Sequence, residues 1–274
     1  HAPIKDQVAS KFPHPPAKNG DCVKCHDPHD SANKAQLKAP PEALCLQCHN
    51  PDRPAVVAKH FGLSLKGRDC TLCHAPHGSS RDNLIPERDH KPFRERKCDS
   101  CHKGKGPDPL GLKAPVPDLC YSCHKQDAEV FQGSLKHPPF AKGECLSCHN
   151  PHVTREEHLL KRDMKSLCLS CHQNRKARFE GPEKHPPYAD GDCLVCHRPH
   201  ASEAGMMLSA EPVDLCYECH DLRGRHSHPV GGGRKDPRNG KPLTCASCHE
   251  PHAAPEKPLL PLNKDRQLCQ QCHF

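Results

Sequence analysis

Tryptophan is absent from the 274 residues, aromatics make up 4%, and there are only three Met. A chain this poor in large side chains cannot close an ordinary hydrophobic core, because the apolar surface available does not offset the entropy of ordering. The 34% apolar fraction overstates the supply, since it counts all 22 Cys. No apolar run approaches the roughly 20 residues of a spanning helix, which excludes a helical membrane anchor within these residues. The 31 Pro exclude long regular helices and central strands. The fold class expected is therefore mostly irregular with short α-helices, around a core that side chains alone do not provide.

What is present is cysteine in one pattern. CxxCH occurs eleven times and uses all 22 Cys, so none remains for a disulfide, a thiolate nucleophile or a separate metal site. Zinc ribbons and disulfide frameworks also use CxxC pairs, but neither needs His directly after the second Cys. Covalent c-type haem does: two thiols bond one porphyrin, and the next His becomes the proximal ligand of its iron. The expected cofactors are eleven covalently bound haem c groups with their iron. Their attachment cysteines and proximal histidines are Cys22, Cys25 and His26; Cys45, Cys48 and His49; Cys70, Cys73 and His74; Cys98, Cys101 and His102; Cys120, Cys123 and His124; Cys145, Cys148 and His149; Cys168, Cys171 and His172; Cys193, Cys196 and His197; Cys216, Cys219 and His220; Cys245, Cys248 and His249; and Cys269, Cys272 and His273.

Such haem is attached outside the cytoplasm. The opening His1-Ala2-Pro3, without Met or an apolar signal region, is expected of a processed, exported chain, periplasmic or extracellular or associated with an outer membrane. The formal net charge of +7 does not point to nucleic acid, because ionised haem propionates reverse it.

The motifs alternate between two types. Type A is followed by Pro-His, as in CHDPH at His26, CHAPH at His74, CHNPH at His149, CHRPH at His197 and CHEPH at His249. Type B is preceded by Leu and lacks the trailing Pro-His, as in LCLQCH, LCYSCH, LCLSCH, LCYECH and LCQQCH. Cys120, Cys168 and Cys216 follow one another at 48-residue steps. The period reads as one domain over 1–274 built of six tandem two-haem repeats, at about 14–49, 60–85, 90–124, 137–172, 185–220 and 228–273. The second repeat holds only its A motif, and the third reads CHKG where CHxPH belongs. Each CxxCH is expected on a short helical turn. Arg155 to Ser166 and Asp265 to Gln271 read as helices of two or three turns, the Pro-Pro and Gly-Asp elements upstream of A motifs as extended or turn structure, and Arg223 to Asn239 as a solvated loop.

Beyond the eleven proximal histidines, fourteen remain among the 25. Six precede A motifs, namely His14, His60, His90, His137, His185 and His228, and five are Pro-His histidines, namely His29, His77, His152, His200 and His252. Together they supply one sixth ligand per iron, leaving His1, His158 and His226 over. Met164, Met206 and Met207 follow no repeat pattern and read as packing. The eight-residue spacing suggests that the upstream His serves its own A haem, so that His185 binds at Cys193 and Cys196. The Pro-His histidine would then serve the B haem, His200 binding at Cys216 and Cys219, although it could equally bind backwards. In the irregular region His77 is expected on the Cys123 haem, with His60 and His90 on those of Cys73 and Cys101. A shifted register would put His77 on the Cys101 haem and His90 on that of Cys123, and a third closure has His1, His158 or His226 fill the gap, from the same or a neighbouring subunit, leaving His77 idle.

The pattern HPPxAxGxCxxCHxPH followed by LCxxCH resembles the doubled-CxxCH family of multihaem c-type cytochromes. Family members include decahaem electron carriers of porin–cytochrome conduits, and other multihaem cytochromes polymerise into extracellular filaments. The resemblance implies long-range electron transfer through a chain of bis-histidine haems, a conduit or nanowire for respiratory electron flow, and no enzymatic activity. Expected partners are other redox proteins, copies of the chain in a homopolymer filament, or an outer-membrane porin, with no nucleic acid and no direct membrane span. The alternative is a multihaem reductase of nitrite, hydroxylamine or a sulfur oxyanion, which needs one open iron; no CxxCK motif marks one.

Overall fold

A computed structural model of the chain describes residues 2–104, 108–125, 128–173, 180–221, 230–231, 233–264 and 266–273. His1, His226, His228 and Phe274 lie outside the described residues. The chain divides into two compact units, His1–Ser100 with His149–Lys161, and Cys101–Cys148 with Arg162–Phe274. The fold is irregular, with short helices and two-residue strands, as the composition requires. Among the described residues no helix is long and apolar enough to cross a membrane.

Every A motif starts a single 3-10 turn, as at Cys22–Lys24, Cys145–Ser147 and Cys193–Val195. Four B motifs instead sit at the end of a short α-helix, Pro41–Leu46, Asp118–Tyr121, Met164–Leu169 and Pro212–Tyr217. In both types the His N–H returns to the carbonyl of the first Cys, at 2.9 Å for His197 to Cys193 and 3.0 Å for His220 to Cys216. One helical turn thus gathers both thiols and the imidazole on one face.

The Pro-Pro elements start helices rather than extended chain. His14, His137 and His185 are the residues preceding Pro15–Lys18, Pro138–Ala141 and Pro186–Asp190. Proline's fixed φ and missing N–H suit the first helical position. The helix expected over Arg155 to Ser166 does not form. A 3-10 turn at Glu157–Leu159 holds His158 at a left-handed φ of 55°, and an α-helix begins only at Met164, capped by the Asp163 carboxylate. Of the expected helix over Asp265 to Gln271, the described residues form one 3-10 turn, Cys269–Gln271.

Among the described residues eight strands of two residues appear: β1 Phe12–Pro13, β2 Gly78–Ser79, β3 Arg88–Asp89, β4 Leu135–Lys136, β5 Val153–Thr154, β6 Glu183–Lys184, β7 Ala201–Ser202 and β8 Ala253–Ala254. They pair antiparallel as β1–β2, β3–β5, β4–β7 and β6–β8. One member of each pair precedes an upstream His, and the other follows a Pro-His histidine of a later repeat. These junctions are where burial concentrates. Val153, Ala201, Ala253, Ala254, Ser79, Thr154 and Ser202 are buried, while Val23, Leu72 and Val195 inside CxxCH motifs stay exposed. The polypeptide exposes 19009 Å², against about 12,000 Å² for a compact chain of 30.4 kDa. Side chains do not close this core.

Part of the expected solvated loop is organised instead. Lys235 and Pro242 form an antiparallel bridge, and Asp236 is fully buried beneath it. Its carboxylate accepts from Arg238 Nε at 2.8 Å and from the Arg238 backbone N–H, while Arg238 Nη2 also donates to the Ser247 carbonyl in the CxxCH turn. These bonds hold the Asp236 carboxyl down at about 2. A depressed carboxyl adds stability above its unfolded pKa near 3.9 and loses it as pH falls through about 2. Asp236→Asn should lower stability by about 1–3 kcal/mol at neutral pH, and the deficit relative to wild type should shrink between pH 4 and pH 2. Paired acid-unfolding curves check this, and a deficit that does not change over that range would contradict it.

Candidate functional site

The histidines are presented from two directions. Across each strand pair, the N–H of an upstream His donates to the carbonyl of a Pro-His histidine from a later repeat. These bonds join His14 to His77 at 3.1 Å, His90 to His152 at 2.9 Å, His137 to His200 at 3.0 Å and His185 to His252 at 3.0 Å. The rings of His14, His137 and His185 also bond to the carbonyls of Pro76, Pro199 and Pro251. Pro76, Pro199 and Pro251 therefore each supply an acceptor that aims a histidine of an earlier repeat.

Among the described residues, six imidazole pairs are seen. His14 faces His49 at 6.0 Å between ring centroids, His137 faces His172 at 6.2 Å and His185 faces His220 at 5.9 Å. His26 faces His77 and His197 faces His252, both at 6.0 Å, and His60 faces His74 at 6.1 Å. Each pair joins one CxxCH histidine to one of the spare ones. Two imidazoles bonded to opposite sides of one metal at about 2 Å each place their centroids roughly 6 Å apart. The donor set therefore fits an iron held between each pair, with the thiols of the CxxC turn alongside.

The pairing corrects the expected assignment. The upstream histidines His14, His137 and His185 face B-type proximal histidines, not their own A motifs. The Pro-His histidines His77 and His252 face the A-type histidines of the preceding repeats. The physical cause is the strand pairing, which fixes the upstream His to the next repeat and turns its ring away from the helix it starts. His200 accordingly does not face His220. It packs on Phe131 and Phe140, each at 5.2 Å. His77 faces His26 and so serves neither the Cys123 nor the Cys101 motif. His60 stands apart: it ends the helix Pro54–Lys59, and its Nδ1–H donates to the Val56 carbonyl, 2.8 Å away.

A second feature went unread in the sequence. Every A-type proximal His places Nδ1 on a backbone carbonyl some nine residues on. His26 meets Ala35 at 2.9 Å, His74 meets Asn83, His149 meets His158 and His249 meets Pro258, all at 2.8 Å, His197 meets Met206 at 3.2 Å, and His102 meets Leu110 at 2.7 Å. Ala35, Asn83, His158 and Met206 adopt φ between 53° and 57° to aim that carbonyl. The turn is closed by a hydroxyl two residues after the Pro-His histidine: Ser31, Ser79, Thr154 and Ser202 donate to the carbonyls of Leu37, Ile85, Leu160 and Leu208. A donating Nδ1–H leaves Nε2 with the lone pair that binds metal and raises the basicity of the ligand. The signal available in the sequence was the Leu or Ile eleven residues after His26, His74, His149, His197 and His249. His158, left over as a ligand, contributes its carbonyl. Burial lowers the pKa of His14, His74, His77, His137 and His185, which keeps them in the neutral, ligating form.

The thiols form a third pattern. The first Cys of a B motif contacts the first Cys of the next A motif, pairing Cys45 with Cys70, Cys120 with Cys145, Cys168 with Cys193 and Cys216 with Cys245. The same B cysteines lie near the second Cys of their own A motif, at Cys25, Cys101, Cys148 and Cys196. Burial and the neighbouring sulfur push Cys45 and Cys216 up to about 11.

Single-histidine variants test the pairing. His185→Ala should open the sixth position of the haem at Cys216 and Cys219, and His252→Ala that at Cys193 and Cys196. Each ferric variant should gain one high-spin haem. The same spectroscopy on peptide-mapped haem fragments, finding the His185→Ala defect at Cys193, would reverse the assignment.

The doubled CXXCH motif family matches residues 14–54, 90–129, 137–177, 185–223 and 236–274. The unmatched stretch contains the second repeat, which lacks a B motif. No curated protein matches the chain. The five matched segments cover well over half of the sequence, and the chain belongs to the doubled CXXCH motif family, the motifs being those of a multihaem c-type cytochrome that transfers electrons.

Proposed function

We propose that the chain is a conduit carrying electrons over long range through eleven bis-histidine c-type haems. The observation that carries this reading is the alternation of thiols. Cys120, Cys168 and Cys216 each bond to the first Cys of the next A motif and lie near the second Cys of their own, so attachment sites follow one another closely from Cys145 to Cys245. Haem, once attached, supplies one-electron chemistry. The chain's own residues do the rest. The CxxC cysteines would hold the haems in a fixed order, and the facing imidazoles would ligate their irons. The carbonyls of Ala35, Asn83, His158 and Met206 fix the proximal rings, make them better donors and favour low potential.

A pair of imidazoles leaves no position for a substrate, so the chain acts as a carrier and not as an enzyme. It works outside the cytoplasm, extracellular or periplasmic and associated with the outer membrane, in respiratory electron flow. Its partners are redox proteins, copies of itself or an outer-membrane porin.

On natively assembled protein, denaturing mass spectrometry should give the polypeptide plus eleven haems, and the ferric spectrum should be wholly low-spin. A shortfall in mass would defeat the count. A stoichiometric high-spin haem that binds carbon monoxide when reduced would defeat the conduit in favour of a reductase.

A further inference from the structure

The register that links repeats leaves one Pro-His histidine unused. His77, His152, His200 and His252 are half-buried, each with its carbonyl bonded to an upstream His. The two residues after each are wholly buried in a strand pair, as Gly78–Ser79, Val153–Thr154, Ala201–Ser202 and Ala253–Ala254. His29 belongs to the same CHxPH frame and has the same Ser two residues on, with the same Ser31 to Leu37 closure. Its surroundings differ. The His29 side chain is 92% exposed, against 26% for His252. Asp30 is exposed, Ser31 is only half-buried, and neither lies in a strand. The Asp27 carboxylate Oδ1 lies 4.0 Å from its Nδ1.

Elsewhere in the chain the surface that covers this edge is always another repeat of the same sequence. It supplies a two-residue strand against the edge, and an A-type haem site opposite the imidazole, as His26 does for His77 and His197 for His252. We propose that His29 is an intermolecular ligand: it provides the sixth ligand of an A-type haem in a second copy of the chain, with Asp30–Ser31 pairing against a strand of that copy. The inference rests on the conduit reading and gives it a joint. Ligation across the contact brings the haem series of two copies together and makes assembly depend on one imidazole.

The test uses the natively matured protein and His29→Ala. Haem count by denaturing mass and midpoint temperature are measured for both, which separates failure of haem loading, and so of the conduit reading, from failure of the joint. Wild type should assemble at high concentration, fully low-spin, and on dilution release monomers in which one haem per chain turns high-spin. His29→Ala should carry the same haem number, stay monomeric at every concentration and show one high-spin haem per chain, which added imidazole converts to low-spin without restoring assembly. Assembly of His29→Ala with an unchanged spectrum would overturn the proposal. So would a wild-type monomer that remains wholly low-spin on dilution, which would place the partner of His29 within the same polypeptide.

Discussion

The fold depends on one backbone hydrogen bond used four times, from the N–H of an upstream His to the carbonyl of a Pro-His histidine in a later repeat. It lies beside a two-residue strand pair that alone is far too short to be stable in water. Its effect is positional. It holds two imidazoles that face different CxxCH histidines back to back, so that placing one places the other. The Pro carbonyl then aims the upstream ring, and the turn after the Pro-His pair aims the proximal one. With so few buried apolar side chains, the iron–histidine bonds and the porphyrins must supply the stability that packing does not. Metal ligation is folding free energy in such a chain.

The irregular middle of the sequence follows from the same constraint. An upstream His ordinarily faces a B-type partner, and an A-type partner takes the Pro-His histidine of the next repeat. The second repeat has no B motif, so His60 has no B partner to face. The third repeat has no Pro-His histidine, so the A motif at Cys70 receives none from it. Both gaps close at once when His60 faces His74, at 6.1 Å. His60 is not followed by Pro, ends a helix instead of starting one, and sits ten residues before Cys70 where His14, His90, His137 and His185 sit eight before theirs. Its different local chemistry matches its different target.

The attachment turns, the repeat period and the irregular fold class were legible because CxxCH and Pro-Pro act locally, through bonds within one turn. That CxxCH histidines would face spare histidines was legible from residue types. The pairing was not, because it is decided by a strand contact between repeats, and two-residue strands such as Glu183–Lys184 and Ala253–Ala254 leave no periodic trace. Spacing to the nearest motif suggested His185 for the Cys193 site, whereas the chain direction set by Pro186 and the carbonyl of Pro251 sends it to His220. The carbonyl acceptors were hidden for a different reason. They are backbone atoms, and only the recurring Ser or Thr and Leu around Ala35, His158 and Met206 mark them. The buried Asp236 beneath its hairpin was likewise unreadable from a Gly-rich stretch.

The central claim is that repeats are joined by sharing ligands, the upstream histidines His14, His137 and His185 going to B-type irons and the Pro-His histidines His77 and His252 back to the A-type irons before them. The most direct measurement is the iron positions in the matured protein, located by anomalous scattering at the iron edge. The account predicts one iron between His185 and His220 and another between His197 and His252. An iron between His185 and His197, or between His200 and His220, would contradict it.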